Sequence, residues 1–199
     1  MPLTTATLRT AIAGIGARLE TEHQRLTALD AQLGDGDLGI TLLKAFRALT
    51  DIAATLPEDL GQALFACGSA VSKVSSSSFG TLLATALIAV AKDSKGKTSL
   101  DWSELARLLT LAREAMQARG KASLGDKTVL DSIAAVEVAI AAFDDPAGAL
   151  MSARAAAAAA LAAFHDQPNR IGRARVYAER SIGIDDPGMA AFAVMLDGL

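Results

Sequence analysis

The sequence predicts an all-α fold of about eight mainly antiparallel helices in a closed bundle or helical barrel, and three observations carry that prediction. Hydrophobic residues make up 51 % of the 199 positions and charged residues 21 %, enough apolar surface for a real core. The chain holds 43 alanines and only 4 % aromatics. Alanine has the lowest helix cost and little bulk, so helices separated by alanine approach closely. Apolar residues recur at helical rather than alternating spacing, which disfavours β architecture. The length suits a single domain, 1–199.

In chain order, residues 7–28 place Leu8, Ile12, Ile15, Leu19 and Leu26 on one face, with Arg9, Arg18, Glu20 and Glu22 on others, a first amphipathic helix. It runs into residues 29–39, where Gly34, Gly36 and Gly39 interrupt helical propensity and predict a shaped loop. A second helix starts near Leu38 and continues through Leu42, Leu43, Phe46 and Leu49. Leu56-Pro57-Glu58 breaks it, and a third helix fills 58–72. The run 75–80 punctuates the chain before an apolar segment, 81–90, that has almost no polar face and is expected to be buried centrally.

After a polar connection at 92–99, Asp101 followed by Glu104 resembles a capping box that opens a helix to about residue 118, with Trp102 packed at its start. Its apolar face is Leu105, Leu108, Leu109, Ala112 and Met116. Helical periodicity resumes over 129–143 until Asp144-Asp145-Pro146 stops it and starts the next helix, 147–165. That helix contains six consecutive alanines, Ala155 to Ala160, yet Leu150, Met151, Leu161 and Phe164 mark a packable face. A last helix follows Pro187, over 188–196. The short connections favour antiparallel neighbours. In an up-down order, the loops richest in Gly, Asp and Ser, after helices one, three and five, fall at one end.

The net charge of −3 supplies no overall field for a phosphate backbone, so no nucleic-acid partner is expected. A single cysteine, Cys67, makes no internal disulfide and reads as core in a reducing compartment. His23 and His165 are the only histidines, which excludes the usual Cys/His zinc site, and neither is assigned to catalysis. No basic N-terminal stretch precedes a long apolar one, and no window of about 18 apolar residues lacks a polar interruption. A cytoplasmic protein with no membrane partner is the expectation.

Asp30, Asp35 and Asp37 fall within eight residues, with Gly34 and Gly36 beside two of them, so the backbone can curl to aim three carboxylates at one small volume. Left unpaired they repel one another and bind protons more tightly; a divalent cation removes the repulsion. Hard oxygen ligands suit magnesium or calcium, and magnesium commonly adds phosphate oxygens and water. The alternative is a surface turn of local hydrogen bonds. No Glu closes the loop as in an EF-hand, which argues against calcium sensing.

The serine run offers hydroxyls and N–H groups just before a helix, where an anion is favoured, with Ser76 and Ser77 the best candidates. The alternative is a cap and flexible connection without a P-loop ending. In 125–128, Thr128 caps the next helix, Asp126 orients Lys127, or the Asp-Lys pair is simply solvated. Asp131 either lines the site or is a favourable N-terminal charge. The stretch 172–188 concentrates Arg173, Arg175, Arg180, Asp185 and Asp186. Arginine clamps phosphate with paired donors, and Arg173 is the leading candidate; the alternative is a surface ion network.

In this order the loops resemble the nucleotide-binding L subunit, or DAK2 domain, of dihydroxyacetone kinases, over nearly the whole chain. The resemblance is carried by Gly34-Asp35-Gly36-Asp37-Leu38-Gly39, by Gly125-Asp126-Lys127-Thr128-Val129-Leu130-Asp131, and by residues 172–188 with Glu179-Arg180-Ser181-Ile182-Gly183 and Asp186-Pro187-Gly188. It implies a barrel-like helical bundle holding an adenine nucleotide, ADP or ATP, at one end through two magnesium ions. By the same resemblance Asp30, Asp35 and Asp37 are the metal ligands and, with Arg173, the catalytic group. Nucleotide contacts are implied for Leu38, Gly39, Ile40, Thr41, Ser76, Ser77, Gly120 and Val129, with Arg173, Asp186, Pro187 and Gly188 completing the pocket.

Two departures stand out. The family often has His at the position of Leu38, which keeps a backbone N–H but no imidazole, and a Ser-Gly-Pro-Leu-Tyr-Gly run where Ser75-Ser76-Ser77-Ser78-Phe79-Gly80 occurs. The resemblance further implies a separate K subunit that carries dihydroxyacetone or another short hydroxy ketone. In phosphoenolpyruvate-dependent systems ADP is a rephosphorylated cofactor and an M-type component supplies the phosphoryl group; in others ATP is an exchangeable donor. A homodimer is left open. Two other classes also stay open: a non-enzymatic adaptor that uses an apolar or acidic face, and a regulatory nucleotide-binding protein.

Overall fold

The computed structural model describes residues 2–75 and 77–199. Thr4 opens helix α1 (Thr5–Leu33) with a reciprocal cap: its hydroxyl accepts from the Thr7 N–H at 3.4 Å, and Thr7 Oγ1 accepts from the Thr4 N–H at 2.7 Å. The helix is longer than the spacing predicts. Residues 29–33, expected in the loop, continue it, because no glycine falls within them and burial of Leu33 rewards the extra turn. Asp30 therefore stands on a rigid last turn.

Helix α2 (Leu38–Ala53) runs back antiparallel along α1. Gly39 lets the two approach: a Cβ there would meet the His23 carbonyl oxygen and lie 2.5 Å from Thr27 Oγ1. Asp59 caps α3 (Leu60–Val74) by accepting from the Gln62 N–H at 2.8 Å. Ser77 caps α4 (Ser78–Asp93). A 3-10 turn, Trp102–Glu104, then leads into α5 (Leu105–Gly120). Here the expected capping box does not form. Asp101 makes no side-chain cap bond, and the Glu104 carboxylate pairs with Arg107 at 3.0 Å and Lys97 at 3.6 Å.

Helix α6 (Val129–Ile140), helix α7 (Pro146–His165), a 3-10 segment (Arg173–Ser181) and α8 (Pro187–Asp197) complete the chain. Strands β1 (Leu3–Thr4) and β2 (Ser99–Leu100) form a two-residue antiparallel ladder, too short to leave an alternating pattern in the sequence.

Each helix packs on the next in a sequence that ends with α8 back on α1, so the eight α-helices among the described residues form a closed bundle. The closing seam is made of small residues: a Cβ on Gly198 would lie 2.7 Å from Ile15 Cα and 3.0 Å from the Gly14 carbonyl oxygen. The main core gathers Ile12, Leu19 and Leu26 of α1, Leu42 and Phe46 of α2, Val71 of α3 and Val194 of α8. Helix α4 is not the central helix its apolar face suggests. Of residues 81–90 only Ala84 and Ala86 are buried, because α4 has an outer side, whereas α6 is covered by α5, α7 and α8 and buries residues 129–133 completely.

Among the described residues α7 is the one helix long and apolar enough, by length and composition, to cross a membrane, and 22 % of that window is buried. Its apolarity is mostly alanine, which permits close packing on α6, where Ser152 Oγ donates to the Ala139 carbonyl at 3.0 Å. Arg154, in the middle of it, donates to the Leu196 and Asp197 carbonyls at the end of α8. These contacts make α7 a stave of the bundle, and no multi-span architecture is present among the described residues.

The close approach at Gly39 gives a direct test. Gly39→Ala is expected to lower stability in urea unfolding by about 1–3 kcal/mol, as overpacking against a backbone carbonyl does. A loss below about 0.5 kcal/mol would show that α1 and α2 part freely there.

Candidate functional site

The connections after α1, α3, α5 and α7 meet at one end of the bundle around a cavity of about 500 Å³. The up-down order thus brings together the three loops expected there, and adds the segment between α7 and α8. Asp30, Asp35, Asp37, Leu38, Ser77, Gly120, Val129, Arg173, Asp186, Pro187 and Gly188 all line it. Gly39, Ile40 and Thr41 are outside the wall: Gly39 is buried against α1, Ile40 is exposed, and Thr41 packs toward Gly80. Ser76 lies outside the described residues.

Asp30, Asp35 and Asp37 each place a carboxylate oxygen within 4.8 Å of the others. Asp30 Oδ2 accepts from the backbone N–H groups of Asp37 at 3.0 Å and Leu38 at 3.2 Å. Asp30 thereby caps α2, and Asp37, at the cap position itself, makes no capping bond with its side chain. Gly34 leaves room for the other Asp30 oxygen, since a Cβ there would lie 2.7 Å from Oδ1; Gly36 turns the chain at φ +70. The Arg173 guanidinium pairs with Asp35 from across the cavity. Three clustered carboxylates repel unless a cation joins them. Three hard oxygen donors within 4.8 Å of one another fit a divalent ion such as magnesium, while the Arg173 guanidinium offsets part of their charge.

Next to the carboxylates, Ser77 Oγ accepts from the Gly80 N–H at 3.2 Å, and Ser75 Oγ lies 3.4 Å from Ser77 Oγ. Ser77 is buried, so the serine run is an ordered cap at its described positions. Phe79, Leu82, Met116, Val129 and Leu130 form an apolar wall, with Arg119 at the end of α5 beside Gly120. The sequence reading missed Phe79, Met116 and Arg119. Phe79 stands in the run 75–80 that reads as a break, Met116 belongs to a helical face that looks like ordinary core, and the only signal for Arg119 is its place next to Gly120.

The 125–128 turn differs most from expectation. Thr128 does cap α6: its hydroxyl accepts from the Leu130 N–H at 3.2 Å, while Asp131 accepts from the Thr128 N–H at 2.8 Å and the Gly125 N–H at 2.6 Å. Asp131 is therefore a buried capping group and not part of the wall. Asp126 does not orient Lys127, since it accepts from the Ser123 N–H at 2.7 Å. Nor is Lys127 solvated; it is fully buried and its ammonium donates to backbone carbonyls. Nothing in the local charge pattern marks this residue. Nearby, Asn169 Nδ2 donates to the Lys127 carbonyl and to Asp186 Oδ2, both at 2.8 Å. Asp186 caps α8 by accepting from the Met189 N–H at 2.9 Å.

The fold and site define a closed helical bundle with a carboxylate cluster, a capped helix start and an arginine around an apolar-walled cavity at one end. The chain belongs to the DAK2 domain family, whose sequence profile matches residues 32–199. It is 29 % identical over 189 residues to the PEP-dependent dihydroxyacetone kinase, ADP-binding subunit DhaL, of Escherichia coli (strain K12), covering 92 % of this chain and 90 % of that protein. To the ADP-binding subunit DhaL of PEP-dependent dihydroxyacetone kinase 2 from Listeria innocua it is 35 % identical over 121 residues, 59 % of this chain and 56 % of that one. A crystal structure of dihydroxyacetone kinase from C. freundii in complex with AMP-PNP and Mg2+ shares the fold with a TM-score of 0.77 at 23 % identity; the likeness covers all of this chain and 34 % of that one.

Burial pushes the Asp186 carboxyl up to about 6, with the Met189 N–H, Asn169 and Lys127 offsetting part of the rise. The folded chain then holds this proton more tightly than the unfolded one. Stability from this group is complete below about pH 4 and is lost as pH rises to about 6. Asp186→Asn keeps a cap acceptor and removes the titration. In urea unfolding its stability relative to the parent chain is expected to improve by about 2 kcal/mol between pH 4 and 6. A difference independent of pH would show that Asp186 does not titrate there.

Proposed function

We propose that this chain is the ADP- or ATP-binding, phosphoryl-transferring L component of a dihydroxyacetone-type kinase, active only with a separate K-type component that carries a short hydroxy ketone. The observation that carries the reading is the meeting of Asp30, Asp35 and Asp37 with an apolar-walled cavity at the capped start of α4. Membership of the DAK2 family and the likeness to two ADP-binding subunits of dihydroxyacetone kinases support it.

Asp30, Asp35 and Asp37 would hold two magnesium ions. Bound there, such ions offset the charge of the polyphosphate and help align it for transfer. One Asp30 oxygen is committed to the start of α2, so the carboxylate is fixed before any ligand arrives. The first amides of α4, with Ser77 at its cap, favour phosphate oxygens. Phe79, Leu82, Met116, Val129 and Leu130 limit movement of the adenine base. Arg173, on the opposite wall, offers paired donors to a phosphoryl oxygen.

No residue of this chain is assigned as general base; deprotonation of the substrate hydroxyl belongs to the K-type component. An M-type phosphoryl donor that recharges bound ADP fits the PEP-dependent relatives, and a cytoplasmic location fits the nucleotide supply. Calorimetry of the purified chain is expected to show ADP binding that requires magnesium. Asp35→Asn should weaken it at least about tenfold, no less than loss of an outer-shell group costs a metal site. Phosphoryl transfer to dihydroxyacetone should appear only when a K-type component is added. Magnesium-independent binding, or none by folded protein, would reject the reading.

A further inference from the structure

The Lys127 ammonium donates to four backbone carbonyls: His165 at 3.1 Å, Gln167 at 2.7 Å, Ser181 at 3.0 Å and Ile184 at 2.8 Å. An ammonium has three protons, so the four acceptors saturate it. The residue takes up a left-handed backbone, φ 61, uncommon for a residue with a side chain. Its own carbonyl accepts from Asn169, and the Asn169 N–H donates to Ser181 Oγ at 2.8 Å. One lysine therefore holds the chain on both sides of the excursion between α7 and α8, at 165–169 and at 181–184.

The excursion between those stalks has almost no core of its own. From 170 to 182 only Ala174 and Ser181 are buried, and Val176 and Ile182 are exposed. Yet this stretch puts Ile171, Gly172, Arg173 and Ala174 into the cavity wall, and Arg173 onto Asp35. Apolar packing does not fix Arg173; the pinned stalks do. Burial pulls the Lys127 pKa down, with Asp186, Asp185 and Asp166 opposing the shift.

We propose that Lys127 is the positioning residue for Arg173: its ammonium ties both stalks of the 170–180 excursion together and so presents the guanidinium to the carboxylate cluster. The inference rests on the reading that this cavity takes magnesium and ADP, and it makes Lys127 act on that ligand only through Arg173.

A double-mutant cycle on the full chain tests it, with ADP and magnesium titrated by calorimetry into Lys127→Met, Arg173→Ala and the double variant. Lys127→Met is expected to weaken binding about tenfold in the parent chain and less than about twofold once Arg173 is alanine, the non-additivity of residues that act as one unit. A lysine that merely supports the fold would give the same loss in both backgrounds, and that result overturns the proposal. Ser181→Ala cuts the bond from the Asn169 N–H and the one the Ser181 hydroxyl donates to the Ala178 carbonyl, and leaves the ammonium in place; it should lose about threefold, again only when Arg173 is present. Should Lys127→Met fail to fold, the same cycle with Lys127→Arg decides, since a planar guanidinium keeps the charge but cannot gather four carbonyls on one nitrogen. Failure of the parent chain to bind ADP with magnesium would instead reject the functional reading itself.

Discussion

Three carboxylates share one small volume only if the backbone carrying them is held by something other than their own interactions, because their mutual repulsion works to spread them. Here the holding forces come partly from the surrounding fold and partly from hydrogen bonds that Asp30 itself accepts. Asp30 rides on the last turn of a 29-residue helix whose opposite face is buried in the core. The turn that carries Asp35 and Asp37 is closed by two hydrogen bonds that the backbone N–H groups of Asp37 and Leu38 donate to Asp30. A guanidinium from a distant part of the chain sits on Asp35. The cluster is thus assembled by helix burial, by capping and by one long-range ion pair, and what the fold leaves for a ligand is the residual negative charge.

The bundle around it is built to bring chain segments close. Gly39 seats α2 on α1, and Gly14 and Gly198 close the ring. Alanine does the same for α7 on α6. Such small residues contribute little area each, so the apolar free energy is concentrated in Leu19, Leu26, Leu42, Phe46 and their neighbours away from the cavity. The open end is therefore free to carry polar loops, and the caps Ser77, Thr128 and Asp186 turn helix starts toward it.

Two buried ionic groups, Lys127 behind the cavity wall and Asp186 in it, are bridged by Asn169. Groups of this kind are costly unless every proton and lone pair is matched, and they fix one arrangement of the chain more sharply than apolar packing does. That fits a segment with little hydrophobic surface of its own that must still deliver an arginine to a set place. The same economy explains why α8 begins on a carboxylate whose burial raises its proton affinity.

The all-α class, the helix order and the gathering of the acidic and serine loops at one end were legible in the sequence, because periodicity, glycine breaks and short connections are local signals. So was the cluster of Asp30, Asp35 and Asp37, which lies within one short stretch. Where α1 ends depended on the burial of Leu33, and the inner place of α6 depended on how many neighbours cover it; neither is written in a helix's own spacing. The fate of Lys127 was hidden most completely. A lysine between Asp126 and Thr128 looks solvated until the carbonyls of residues 165, 167, 181 and 184 are folded around it, and those acceptors are backbone atoms that any sequence possesses. Residue types announce chemistry, but partners supplied by distant backbone exist only in three dimensions.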